Sequence, residues 1–226
     1  MKKIGASACL VVGVGLSCSV FAYEAGDWIV RAGVTQVAPD ESSSVVSVNG
    51  DNGAALGTQS GVSVDTNEQL GLNIQYMLSK QLGIELLAAT PFKHKISGSG
   101  DLAGLDIGET KQLPPTLSAV YYFDTHSALM PYLGAGINYT AFFDEKPSAT
   151  LKSALGANKM DLDNSFGFAV QVGVDYKINN QWLVNASVRK IDIETDAAID
   201  LNNGDKVDVN VDIDPFVYTL SVGYVF

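Results

Sequence analysis

The stretch 216-FVYTLSVGYVF-226 ends the chain, and its residues alternate in polarity with period two. One parity is apolar throughout and the other carries Thr219, Ser221 and Gly223, as in a β-strand with one apolar face. Chain ends are usually poorly ordered unless something holds them, yet here the alternation runs to the last residue. The stretch therefore predicts a strand that is paired up to its end.

The other end of the chain predicts a secretory signal peptide over residues 1–22. Lys2 and Lys3 precede a largely apolar run, and Val20-Phe21-Ala22 supplies short or small residues at the cleavage positions. A membrane anchor is the alternative, but the run is short and interrupted by Gly and Ser. Cleavage would also remove Cys9 and Cys18 and move the formal net charge from −11 to −13. So acidic a chain argues against a nucleic-acid partner.

Seven further segments alternate in the same way before the terminal one, over 27–38, 68–79, 81–93, 113–124, 129–143, 164–178 and 181–195. Their connections alternate in length. Long segments lie at 39–67, 94–112, 144–163 and 196–214, and tight turns lie near 79–81, 125–128 and 179–180. A soluble sandwich also alternates, but its strands are nearer about 5–6 residues. Long strands with short turns at one end and long loops at the other are typical of outer-membrane barrels.

We therefore predict an all-β fold for residues 23–226, a single eight-stranded antiparallel transmembrane β-barrel with periplasmic termini in a Gram-negative outer membrane. An even strand number lets the first strand pair with the last, which removes the edges that lipid cannot satisfy. The clusters Tyr121–Phe123 and Phe142–Phe143 and the lone Trp182 are interpreted as interfacial aromatic girdles, with loose core aromatics as the alternative.

The interior parity carries charged residues of both signs. Arg31, Arg189, Glu85 and Asp175 would face the lumen. A barrel of this size has an interior that side chains fill, and buried charges are costly unless they pair. A structural plug is the favoured interpretation, and a proton or ion path is the alternative.

Five segments, in this order along the chain, resemble the outer membrane protein W (OmpW) family: ELLAATPFKHKI, LPPTLSAVYYF, PYLGAGINYTAFF, FAVQVGVDY and DPFVYTLSVGYVF. The resemblance implies a narrow hydrophobic channel for small hydrophobic molecules, and in some members a colicin or phage receptor. Leu87 and Ala89 continue the inner parity above Glu85 and are candidate lining residues. Phe166 would join them only if its strand is bulged.

Prolines predict an opening in the wall. Pro91 and the pair Pro114-Pro115 flank the loop 94–112, and proline is tolerated in sheets only at edges or bulges. We expect these prolines to separate a pair of neighbouring strands and to leave a lateral exit into the lipid. The alternative is that they only end the strands.

Other functions remain as alternatives to transport. A lipid-modifying enzyme would need a histidine near a nucleophile and a carboxylate, and only His94 and His126 are available, His94 being better explained by solvation or lipid phosphate. A non-transporting surface barrel, either structural or an adhesin, is the other alternative. The acidic segment 192–214 lacks the spacing of a calcium loop, so no metal or cofactor is expected.

The expected partners are outer-membrane lipid and lipopolysaccharide, small hydrophobic solutes, and the barrel-assembly machinery. That machinery would recognise Tyr224 and Phe226 in the unfolded last strand.

Overall fold

The computed structural model describes residues 22–52 and 56–226, so the predicted signal peptide lies outside the described residues except for Ala22. No helix in these ranges is long and apolar enough to cross a membrane. The elements in chain order are β1 (Trp28–Ala38), β2 (Ser42–Ser43), β3 (Ser47–Val48), β4 (Asp51–Asn52), β5 (Ser60–Val64), β6 (Asn67–Met77), β7 (Leu82–Ala89), β8 (Phe92–Gly100), β9 (Asp106–Leu113), β10 (Thr116–Tyr122), β11 (Leu129–Pro147), α1 (Ala149–Leu155), β12 (Ala157–Leu162), β13 (Ser165–Lys177), β14 (Trp182–Ile191), β15 (Glu194–Leu201), β16 (Lys206–Asp212) and β17 (Phe216–Val225).

Eight of these strands form a closed antiparallel barrel, which confirms the predicted fold class. Around the barrel the order is β10, β7, β6, β1, β17, β14, β13 and β11, and β10 pairs with β11 to close it. The last strand pairs with the first from Ile29 opposite Val225 to Ala38 opposite Phe216, and with β14 on its other side. The stretch 216–226 is therefore the closing strand, and its backbone groups have partners on both sides, as lipid requires.

The outer wall of this barrel is apolar. Phe168 is 69 % exposed, Leu220 63 % and Val34 57 %, while the residues between such positions, for example Thr35 and Gln171, are buried inside. Apolar side chains exposed over a whole wall belong in lipid rather than in water. The alternating parity therefore places its apolar side outward.

Aromatic side chains ring the end of the barrel that carries the short turns. The rings of Trp28 and Tyr76 lie 4.9 Å apart between centroids, and those of Trp182 and Tyr224 lie 5.0 Å apart. Such rings mark the level of the lipid headgroups in outer-membrane barrels, whose short turns are periplasmic. Both ends of the barrel domain lie here, because β1 begins and β17 ends at this level.

The girdle interpretation is wrong for Tyr122 and Phe142. Both are buried inside, whereas their neighbours Tyr121 and Phe143 are exposed. Adjacent side chains of a strand point to opposite faces, so within each aromatic cluster only every second side chain points outward.

The long connections are ordered sheet that extends the barrel at the end opposite the short turns. Segments 94–112 and 196–214 are the hairpins β8–β9 and β15–β16. Segment 144–163 holds the end of β11, helix α1 and β12, and segment 39–67 holds β2 to β5. Acidic side chains such as Asp200 and Asp212 are exposed on the outer face of this extension. We call it the outer extension, and its inner face is apolar.

The interior therefore holds two apolar cores at different heights. The larger core fills the outer extension and includes Ile107, Phe142, Ile199 and Val209. Helix α1 adds Leu151 to it, with the Ser148 hydroxyl accepting a hydrogen bond from the Leu151 N–H at 2.9 Å. The smaller core lies at the periplasmic end and includes Ile29, Met77, Met130 and Leu183. Polar residues fill the space between the two cores.

Candidate functional site

A network of buried charges crosses the lumen between the two cores. Arg31 of β1 donates from Nη2 to Asp175 Oδ2 at 2.7 Å and to the Tyr122 hydroxyl at 2.6 Å. Its Nη1 donates to Gln75 Oε1 at 3.0 Å and lies 3.6 Å from Glu85 Oε2. The guanidinium thus ties together four other strands of the barrel wall, because its partners come from β6, β7, β10 and β13.

A second ion pair extends this network. Arg189 Nη2 lies 2.7 Å from Glu85 Oε1, which also accepts from Gln171 Nε2 at 2.9 Å. Arg31, Glu85, Asp175 and Arg189 are each at most 3 % exposed. The structure brings all four predicted plug residues into one cluster with balanced charge, as buried ions need. We call this cluster and its partners the polar plug.

Sequence reasoning missed three members of the polar plug. The Tyr23 hydroxyl donates to Asp175 Oδ2 at 2.6 Å, Tyr122 bonds Arg31, and the Tyr132 hydroxyl accepts from Asn185 Nδ2 at 2.9 Å. Tyr122 and Tyr132 share the inner parity of their strands, so strict alternation could have found them. Tyr23 precedes the first strand and gave no such signal.

Above the polar plug, the outer extension surrounds an apolar cavity. We call it the outer cavity. Its wall comes from β5, β8, β9, β11, β12, β15, β16 and α1, and apolar side chains such as Ile107, Met160, Ile199 and Val209 dominate it. A cavity of this kind favours apolar molecules, because a hydrated solute would lose water bonds that the wall cannot replace.

The lining of the outer cavity was also missed by sequence reasoning. The acidic segment 192–214 has apolar residues that alternate with its acids. Asp208 and Asp212 flank Val209 and Val211 on β16, and only the valines face the cavity. The signal was the same period of two that defined the barrel, obscured here by the carboxylates on the opposite face.

The candidate lining residues lie in different places. Leu87 is buried on the inner face, and Ala89 packs against the larger core, but neither lines the outer cavity itself. Phe166 is 65 % exposed, and it pairs with Tyr139 in an unbulged ladder. The prediction of Phe166 as a lining residue is therefore wrong, because the bulge that would have turned it inward is absent between residues 165 and 176 of β13.

The three prolines lie at a break in the wall. The last ladder pair of β7 with β10 joins Leu87 and Thr116, and the first pair of β8 with β9 joins Phe92 and Gln112. Pro91, Pro114 and Pro115 lie between these pairs, in positions without strand assignment. On the other side the wall stays paired, since the Tyr139 N–H donates to the Pro115 carbonyl at 3.1 Å.

His94 lies on the inner face of the outer extension, close to this break. It is buried, its Nδ1 lies 2.6 Å from the Asp65 carbonyl oxygen, and its Nε2 lies 2.9 Å from Gln112 Nε2. Burial lowers the pKa of His94, and the hydrogen bond to the Asp65 backbone only partly opposes this. The interpretation of His94 as solvated or bound to lipid phosphate is therefore wrong.

The remaining predicted features lie on the outside. The acids of β15 and β16 face solvent, and the described residues contain no cluster of three or more His, Cys, Asp or Glu placed to hold a metal ion. Tyr224 and Phe226 lie on the outer wall at the periplasmic girdle, with ring centroids 4.7 Å apart.

A closed barrel with a lipid-facing wall, a buried polar plug and an apolar outer cavity defines a class: a small outer-membrane barrel whose interior is filled by side chains. Comparison with known proteins then gives the family. The family model described as "OmpW family" matches residues 24–226. The chain belongs to the OmpW family, and like its relatives it is an outer-membrane protein of Gram-negative bacteria.

Individual relatives agree with this assignment. Outer membrane protein W of Escherichia coli strain K12 is 47 % identical over 227 residues, covering 100 % of both chains. The crystal structure of the outer membrane protein OprG from Pseudomonas aeruginosa superposes with a TM-score of 0.84 at 40 % identity, covering 92 % of this chain and 99 % of OprG. A more distant relative, the dibenzothiophene metabolism operon protein PahQ of Pseudomonas aeruginosa, is 29 % identical over 96 % of this chain and 97 % of its own length.

Proposed function

We propose that this barrel takes up small hydrophobic molecules from outside the cell and releases them sideways into the outer membrane. The observation that carries the proposal is the outer cavity, an apolar space directly above a lumen closed by charged side chains. An apolar solute that enters the cavity gains nothing by moving down, because it would have to displace paired charges.

The break in the wall offers the remaining way out. The ladder between β7–β8 and β9–β10 lacks pairs between Leu87–Thr116 and Phe92–Gln112, and prolines cannot donate the missing bonds. Gln112 lines the cavity and also forms the upper limit of this break. We therefore propose that the solute leaves the cavity through the break, with Leu87 and Ala89 at its lower edge.

The name of one relative supports the choice of solute. PahQ is named for an operon of dibenzothiophene metabolism, and dibenzothiophene is an apolar, nearly flat aromatic molecule. We extend to this chain only the class of solute, small and hydrophobic.

The same proposal assigns the other partners. Lipid and lipopolysaccharide surround the wall, and the barrel-assembly machinery recognises the last strand through Tyr224 and Phe226. We propose no catalytic role, because His94 has both ring nitrogens occupied by Asp65 and Gln112.

The test restores strand pairing at the break. Replacing Pro91, Pro114 and Pro115 together by Val or Thr supplies the missing N–H donors, and the matched control is Pro131→Val at the periplasmic end of β11. Uptake of naphthalene by cells that produce equal amounts of folded barrel should fall severalfold in the triple variant only. Undiminished uptake by the triple variant would rule out the lateral exit. If cells with the wild-type barrel take up no more naphthalene than cells that lack the barrel, a purely structural or receptor role would be favoured.

A further inference from the structure

Four polar side chains interrupt the otherwise apolar wall of the outer cavity: His94, Thr110, Gln112 and Thr195. Three of them form one patch on the hairpin β8–β9, where His94 pairs with Thr110 and Gln112 lies diagonal to His94. His94, Thr110 and Gln112 are at most 3 % exposed, so their hydrogen bonds must come from one another, from the backbone or from a ligand.

The backbone of Asp65 fixes the protonation of His94. A carbonyl oxygen only accepts, so His94 Nδ1, 2.6 Å from the Asp65 carbonyl, carries the hydrogen. In the neutral imidazole the other nitrogen, Nε2, is then an acceptor.

This tautomer in turn fixes the orientation of the Gln112 amide. The amide group that faces His94 Nε2 at 2.9 Å must be the NH₂ donor, because an oxygen there would meet a lone pair. The Gln112 Oε1 therefore points elsewhere, and it is a buried atom without a hydrogen-bond partner.

The neighbouring hydroxyls do not satisfy this oxygen. The Thr195 hydroxyl donates to the Asp163 carbonyl at 2.7 Å, and the Thr110 hydroxyl makes a long 3.4 Å contact to the Lys111 carbonyl. A buried acceptor without a partner is costly, and a ligand whose donor group reaches this oxygen would remove that cost.

We infer that the outer cavity prefers hydrophobic molecules that carry one hydroxyl group, such as a medium-chain alcohol or a phenol. The hydroxyl donates to Gln112 Oε1, and the hydrocarbon part lies against Phe142, Met160 and Val209. Gln112 is two residues from Pro114, so this binding mode holds the polar end of the solute beside the break. The inference rests on the proposed function and narrows its solute class.

The test compares two ligands of similar length, 1-octanol and octyl methyl ether, which differ in the hydrogen-bond donor. Both are titrated into the full barrel in lipid nanodiscs, and binding is followed by the methyl signal of Met160, which lines the cavity. The variant is Gln112→Leu, and the matched control is Gln36→Leu on the outer side of β1, where the Gln36 amide bonds Glu68. For each protein, the affinity for the alcohol is divided by the affinity for the ether. Dividing this ratio by the same ratio for Gln112→Leu cancels the different partitioning of the two ligands into the lipid.

We expect the wild type and Gln36→Leu to prefer the alcohol about tenfold relative to Gln112→Leu, the effect of one hydrogen bond. If Gln112→Leu fails to fold because His94 loses its partner, the double variant His94→Phe/Gln112→Leu removes both groups together. An unchanged ratio in the variant, with both ligands still bound, would overturn the inference and leave the proposed function intact. Binding of neither ligand to the wild type would instead contradict the proposed function.

Discussion

The membrane-spanning barrel and the outer extension are built from the same period-two strands with opposite polarity. In the barrel, apolar residues such as Phe168 face out and charged residues such as Arg31 face in; in the outer extension, acids such as Asp208 face out and Val209 faces in. The period of two defines two faces of each sheet. Whether lipid or water surrounds the sheet then decides which of the two faces points inward. The switch between lipid and water thus creates an apolar cavity directly above a charged plug.

The largest expected effect comes from removing one ion of the polar plug. Arg31→Met leaves Asp175 without its arginine partner in a buried site and takes from Glu85 the more distant of its two arginines. We expect the free energy of unfolding in lipid to fall by about 3–5 kcal/mol, measured by urea titration. The exposed Lys95→Met in the outer extension is the matched control and should stay within about 0.5 kcal/mol. A loss below about 1 kcal/mol for Arg31→Met would indicate that water reaches the plug.

A smaller effect is expected on the lipid face. Deleting Phe226 removes an apolar side chain at the periplasmic girdle, worth roughly 1.5–3 kcal/mol, and the proposed recognition group of the last strand. The amount of barrel in the outer membrane, measured by heat-modifiable gel mobility of membrane fractions, should decrease. Phe226→Leu keeps the apolar anchor and separates anchoring from recognition. Normal yield after deletion would argue against both roles.

The outer extension should respond to a single buried hydroxyl. Val209→Thr keeps the shape but places a hydroxyl in the apolar core, at a cost of about 1–2 kcal/mol. Asp208→Asn, one residue earlier on the outer face, should change stability by less than about 0.5 kcal/mol. Hydrogen exchange of β15 and β16 measures both. Equal effects of the two variants would mean that the polarity of this sheet has been assigned to the wrong faces.

The weakest effect concerns pH and His94. Burial lowers its pKa in the folded state below the value of about 6.5 for a free imidazole, so the unfolded state binds more protons as the pH falls. Its contribution to stability is complete above about pH 6.5 and is lost as the pH falls through the folded pKa. The protection factors of amides in β8 and β9, which correct for the intrinsic exchange rate at each pH, should fall in this window, and His94→Gln should remove this pH dependence. A ¹⁵N titration of His94 at or above the free value would contradict the sign.

Much of the barrel could be predicted from the sequence because lipid enforces alternation over long strands. The eight strands, their closure and the inner position of Arg31, Glu85, Asp175 and Arg189 all follow from parity. The outer cavity could not be predicted in this way, since its wall combines strands that are distant in sequence, such as β8, β12 and β16. Whether Asp208 or Val209 points inward depends on whether water or lipid surrounds this part of the sheet.

The buried position of His94 also lay beyond sequence reasoning. Lys93 and Lys95 on either side suggested solvent, yet both lysines share the outer parity and His94 the inner one. Its partners, the Asp65 carbonyl and Gln112, come from a preceding turn and from a neighbouring strand. Pairing between strands, rather than local sequence, determines this kind of contact.

The central claim is that an apolar solute occupies the space above the polar plug and does not pass through it. Apart from Met1, the chain has three methionines: Met160 lines the outer cavity, while Met77 and Met130 belong to the periplasmic core. Methyl-¹³C-methionine labelling of the barrel in lipid nanodiscs therefore places probes on both sides of the plug. On addition of naphthalene, we expect intermolecular nuclear Overhauser effects to the Met160 methyl and none to Met77 or Met130. Effects at Met77 or Met130 of similar strength would show passage through the plug and contradict the account.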